Sequence, residues 1–162
     1  TADVAVVPWP RNERGALAGV KSTSYAENAR ALAYAKARGY GEAIFGNTAG
    51  NLCEGTGSNV FLVTGGRLVT PPLSAGCLDG VTRALVLEWF GGEEEDVPLS
   101  ALYEADEAFL TSTTRDVQPI RLVDGTADPG YGAKAELPAV PGPVTAKAME
   151  VFARRAAEDL DP

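Results

Sequence analysis

The chain has 162 residues, 45% hydrophobic and 22% charged, with 14 Lys and Arg against 22 Asp and Glu for a formal charge of -8. This composition suits one globular domain with a sizeable core and excludes a disordered chain, while the negative balance disfavours nucleic acid and anionic membrane as partners. Histidine is absent, which removes Ser-His-Asp and Cys-His catalysis and every histidine-ligated metal, so proton transfer near neutral pH falls to Lys, a carboxylate, Tyr, Cys or a borrowed cofactor.

The chain opens on Thr1, and "ADVAVV" reads as a strand entering from something upstream, as in the C-terminal half of a longer protein. No apolar stretch is long enough to span a bilayer and no secretory layout opens the chain, so a cytoplasmic location is expected. After the stiff Pro8 to Pro10 break, Arg11 to Gly19 reads as a loop. Ser24 with Glu27 forms a capping-box pattern, and Tyr25 to Arg38 is helical by propensity, stopped by Gly39. Residues 42–46, 50–54, 58–63 and 67–70 are short, β-rich and separated by "NTAG" and "TGG" turns, which predicts a meander.

Pro71 and Pro72 end that segment, "LSAGCLDG" is a loop, and Val81 to Phe90 has apolar residues at helical period. "GGEEEDVP" reads as a solvated acidic loop feeding a strand, since no ligand set completes a metal site. "EAFLTST" and "VQPIRLVDG" are strands, Thr126 to Pro141 a mobile surface loop, and Gly142 to Leu160 a closing helix with Pro143 near its first turn. Cys53 and Cys77 are too few for a disulfide framework and read as buried free thiols. The expected fold is α+β, with mixed strands curled around a cleft and flanking helices.

Lys21 lies among small residues in "GALAGVKSTSYAEN", ahead of a helix start. The likeness to a Walker loop fails, because Val20 separates Gly19 from the lysine and the Gly15 to Gly19 interval is one residue short. Glu54 ends a strand before Gly55, Thr56, Gly57 and Ser58, where backbone can approach a ligand closely. Gly80 to Arg83, "GVTR", opens a helix whose amides and dipole favour an anion. "TSTTR", Thr111 to Arg115, offers hydroxyls and amides to the same anion or to a carboxylate. An amine, a carboxylate and two phosphate-binding turns are what a pyridoxal phosphate site requires.

The order of Lys21, "EGTGSNVF" (Glu54 to Phe61), "LVTPPL" (Leu68 to Leu73), "LDGVTR" (Leu78 to Arg83), "ADEAFLTSTT" (Ala105 to Thr114) and "GPVT" (Gly142 to Thr145) resembles the class IV aminotransferases. These fold-type IV pyridoxal phosphate enzymes include branched-chain and D-amino acid aminotransferases and aminodeoxychorismate lyase. The resemblance implies their mixed-strand pseudo-barrel and generally a homodimer. Lys21 would form the Schiff base with the cofactor and shuttle the substrate α-proton, and Glu54 would pair with the pyridine nitrogen. The turn at Gly80, the amides of Val81 and Thr82 and the hydroxyl of Thr113 would hold the phosphate. Thr114 and Arg115 match positions whose amides meet the substrate carboxylate, and Tyr25 resembles a tyrosine that bonds the cofactor's phenolic oxygen. The family's smaller N-terminal domain, with its phosphate-binding arginine, has no counterpart in this sequence. The implied reaction is transamination between an amino acid and a 2-oxo acid. Alternatives are aminodeoxychorismate lyase chemistry, a phosphate- or nucleotide-binding module around Lys21, and a cofactor-free dimerisation domain.

Overall fold

The computed structural model describes residues 1–158. Among them, nine strands join one mixed sheet: β1 Ala2–Val6, β2 Glu42–Gly46, β3 Leu52–Gly55, β4 Asn59–Thr64, β5 Arg67–Thr70, β6 Glu93–Glu94, β7 Glu107–Ser112, β8 Asp116–Asp124 and β9 Lys134–Glu136. The helices are α1 Ala26–Lys36, α2 Val81–Trp89, α3 Ala101–Glu104 and α4 Pro143–Glu158, with a 3-10 turn at Leu73–Ala75. The spatial order is β3-β2-β1-β8-β7-β4-β5-β6, with β9 added to β8. Strand β1 runs parallel to both β2 and β8, β6 runs parallel to β5, and the remaining pairs are antiparallel.

Both sheet faces are covered, which is why "EAIFG" and "NVFLV" read as nearly unbroken apolar runs rather than alternating ones. On one face the sheet curls until Val4, Ile44, Leu62, Val69, Leu110 and Ile120 share a single cluster, plugged by Leu102 and Tyr103 of α3. The other face is packed in two places. Ala31 and Ala35 of α1 meet Ala5, Ala43 and Phe45; Val86 of α2 and Ala148 and Phe152 of α4 meet Phe61, Val63 and Phe109. Phe61 and Phe109 are register partners on β4 and β7, and their rings stack at 4.9 Å, a cross-strand pair worth about 0.5–1.5 kcal/mol beyond its buried area.

The curled α+β sheet with flanking helices is the architecture expected from the sequence. The meander is not. Hairpins β2-β3 and β4-β5 form as predicted, but β1, β8 and β7 lie between them, because turn residues specify a hairpin and not the strand beyond it. Gly50 adopts φ +84° and belongs to the turn, so β3 starts two residues later than expected. The capping box does not form: α1 begins at Ala26 behind Tyr25 without a side-chain cap, because Glu27 is drawn to Arg11.

The acidic stretch contributes the two-residue β6 and leads to α3 rather than to a strand. Its carboxylates are taken by Arg67, which reaches Glu93 at 2.6 Å and Glu95 at 2.8 Å, and by Arg83, which pairs with Glu94. No metal-binding cluster forms among the described residues. The segment expected as a mobile loop contains β9, whose Ala135 is buried with Leu137 in the core; two apolar residues among Gly and Pro suffice to anchor it. The closing helix is present through Glu158, and the expected end at Leu160 lies outside the described residues.

Candidate active site

The β2-β3 hairpin pairs Phe45 with Glu54. Beyond β1, the proline-stiffened segment brings Arg11 to the same place, where its N–H donates to the Gly46 carbonyl at 2.8 Å and its guanidinium lies 4.2 Å from the centre of the Phe45 ring. Glu54 is 9% exposed. Its Oε2 accepts the Leu78 N–H at 2.9 Å, and its Oε1 lies 3.3 Å from Arg11 Nη2. Burial pushes the Glu54 carboxyl above its ordinary range, with the Leu78 N–H and Arg11 pulling against that rise.

Glu54, Arg11 and Leu78 line a cleft of about 400 Å³, together with Val20, Tyr25 and Gly57. That volume lies within the roughly 300–1,000 Å³ of small-molecule sites. A Cβ built on Gly57 meets no protein atom, so the glycine leaves open space at the wall. Two residues beyond Leu78, Gly80 caps α2 without a side chain, which leaves the first-turn amides and the positive end of the helix for an anion.

Lys21 sits on the loop between β1 and α1 with its side chain exposed, while its neighbours Val20 and Ser22 line the cleft. Tyr25 lines the cleft and is 38% exposed. Val81 is exposed and Thr82 buried in the first turn of α2. Thr113 and Thr114 are exposed in the β7-β8 turn, the Thr114 hydroxyl lying 3.4 Å from that of Ser112. The Arg115 N–H already donates to the Ser112 carbonyl at 3.3 Å. The cleft therefore brings together Tyr25, Glu54 and the neighbours of Lys21; Lys21 itself, Gly80, Val81, Thr82, Thr113, Thr114 and Arg115 are not part of its lining.

Three positioning groups were not read from the sequence. Arg11 falls in the 11–19 segment, which the sequence marks only as a loop. Glu42, 1% exposed, accepts from the amides of Ala43 and Thr56 at 3.0 Å each, from the Thr56 hydroxyl, from Ser58 Oγ at 3.1 Å and from Arg115 Nη2 at 2.7 Å. Burial works to raise its pKa, but hydrogen bonds from Thr56, Arg115 and Ala43 outweigh it and hold the carboxyl below the usual range. Asn59 donates to the Leu78 carbonyl at 2.8 Å, and a methyl at Gly80 would overlap its side chain. The run "EGTGSN" carried a partial signal, since small and polar residues there supply the donors to Glu42.

The residues present fit pyridoxal phosphate: a buried carboxylate faces the cleft, the wall at Gly57 is open, and an uncapped helix end lies two residues past the cleft wall. Residues 2–123 match the family profile "Amino-transferase class IV". The chain is 43% identical over 108 residues to a probable branched-chain-amino-acid aminotransferase of Thermotoga maritima, covering 64% of this chain and 37% of that one. It is 35% identical over 134 residues to the branched-chain-amino-acid aminotransferase of Pseudomonas aeruginosa, covering 80% and 41%. The branched-chain amino acid aminotransferase of Thermobaculum terrenum, solved in its PLP form, superposes with a TM-score of 0.83 at 31% identity over 99% of this chain and 52% of that one. The chain thus spans about two fifths of the length of these curated relatives and half of the solved structure.

Proposed function

The chain belongs to the class IV aminotransferases, and from that premise we propose that it is the cofactor-binding part of a pyridoxal-phosphate-dependent enzyme that moves an amino group between an amino acid and a 2-oxo acid. The observation that carries the reading is Glu54: a buried carboxylate with one backbone donor and one guanidinium, turned to a cleft that the flanks of Lys21 also line.

Pyridoxal phosphate, when bound, supplies an aldehyde that condenses with amines and a ring that accepts the electron pair left when the α-proton departs. Glu54 would hold a proton on the ring nitrogen. The free amides at Val81 and Thr82 would bind the phosphate with the Thr113 hydroxyl, as anions bind at helix N-termini. Tyr25, at the start of α1, would donate its phenolic O–H to the ring's oxygen. Lys21 has a flexible four-carbon stem, long enough to swing its amine over the cleft from between Val20 and Ser22. There it would take the α-proton and return it. In the β7-β8 turn the Thr114 amide is the freer donor for a substrate carboxylate, because the Arg115 amide is engaged within the turn and its guanidinium with Glu42.

The relatives are longer than this chain, and a further domain or a second copy would cover the exposed Leu17, Val20 and Tyr25 at the cleft mouth. Among the described residues no helix is long and apolar enough to cross a membrane.

The test is to assay the full protein with branched-chain and other amino donors plus 2-oxoglutarate, beside aminodeoxychorismate. The proposal expects keto acid and glutamate to form, and Lys21→Ala to stop both. Release of 4-aminobenzoate without transamination overturns it in favour of the lyase.

A further inference from the structure

Arg11 is placed between the two chemical elements of the cleft. Its Nη1 pairs with Glu27, and its Nη2 reaches Asn28 Oδ1 at 2.9 Å and Glu54 Oε1 at 3.3 Å. Glu27 and Asn28 open α1, so one guanidinium ties the two ends of the 12–25 loop that carries Lys21 and binds the carboxylate across the cleft. The side chain is 12% exposed and its Nε is buried without a partner among the described residues, so the geometry is set by the fork and by the Phe45 ring beneath it.

We propose that Arg11 is a positioning residue for the reaction: it holds the Glu54 carboxyl aimed into the cleft beside a fixed positive charge, and it fixes the base of the Lys21 loop. This rests on the cofactor reading given above. Arg11 acts through Glu54 and the loop rather than on the substrate.

The charges around Glu54 leave this role to Arg11. From β2, Glu42 acts to raise the Glu54 pKa. The flanking thiols are neutral, burial raising Cys53 far above its ordinary value and Cys77 to about 11. Glu27 is neutralised by Arg11 itself. Arg11 is the cation that opposes burial at Glu54, and an opposite charge at this range is worth about 1–3 pH units.

The test follows the Glu54 carboxyl by carbon-13 NMR in the cofactor-free full chain, assigned by its loss in Glu54→Gln. Arg11→Met is expected to raise the titration midpoint by about 1–3 pH units. Arg11→Lys, which keeps the charge, should restore most of that shift. Amide hydrogen exchange across residues 15–25 should quicken in both variants, because an ammonium cannot replace a planar fork that serves three partners. Should Arg11→Met not fold, Arg11→Gln removes the charge and is read the same way. An unchanged midpoint in a folded charge-removing variant overturns the inference, as does unaltered exchange in Arg11→Lys. Because no cofactor is present, failure of the chain to bind pyridoxal phosphate contradicts the proposed function and is distinguishable from either result.

Discussion

Glu42 and Glu54 face each other's strands in one hairpin, and both are buried, yet their surroundings push them in opposite directions. Glu42 is saturated: two amides, two hydroxyls and a guanidinium occupy its lone pairs, and its pKa is lowered. Glu54 has one amide and a longer contact to Arg11, and its pKa is raised. A carboxylate buried for stability is given all its donors, while one buried for chemistry keeps acceptor capacity for a ligand. Glu42 joins the 55–58 turn to the β7-β8 turn through Thr56, Ser58 and Arg115, so the saturated carboxylate holds the frame around the unsaturated one.

The contrast can be broken most directly at Glu54. Glu54→Gln should cut turnover on the order of 10²–10³-fold, the scale of losing one preorganised electrostatic group, without destabilising the cofactor-free fold at neutral pH. Glu42→Gln should do the reverse in kind. It leaves Arg115 and the hydroxyls without an anion, and a urea melt is expected to show a loss of about 3 kcal/mol, the low end for a broken buried pair because Arg115 is 30% exposed.

A smaller effect separates the two by pH. The folded-state pKa of Glu42 is lowered, so its contribution is complete above the unfolded value and is lost as acid carries the pH through the folded value. That of Glu54 is raised, so its contribution is complete below the unfolded value and is lost as pH rises through the folded one. Urea midpoints across about pH 3 to 8 should lose their acid limb in Glu42→Gln and gain stability toward neutral pH in Glu54→Gln. The same direction in both variants would end the distinction.

The smallest expected signal is at Cys53 and Cys77, both buried near Glu54 with raised pKa values. An alkylating reagent at mildly alkaline pH should label neither thiol in the folded protein and both after unfolding. Rapid labelling would mean that water reaches this region and that burial is not what raises Glu54.

Much of this was legible in the sequence where the signal is local. The hairpin turns, the glycine stop after α1, the helix start at "GVTR" and the strand that carries Glu54, which runs one residue further to Gly55, follow from residue type and spacing. Strand order was not legible, since β1 pairs with β2 and β8 across long stretches of chain. Nor was the hub at Glu42, which depends on Arg115 arriving from β8's leading turn, nor Arg11, whose partners are 16, 17 and 43 positions away. Glu27 shows the cost of local reasoning, since a distant guanidinium takes the carboxylate that a capping box would use.

The central claim is that the cleft beside Glu54 holds pyridoxal phosphate within reach of Lys21. It is tested by adding the cofactor to the full protein, reducing with borohydride and mapping the modified peptide by mass spectrometry. The account predicts a phosphopyridoxyl group on Lys21, absent in Lys21→Ala. No label on the folded protein, or a label on Lys36, Lys134 or Lys147 instead, would contradict it.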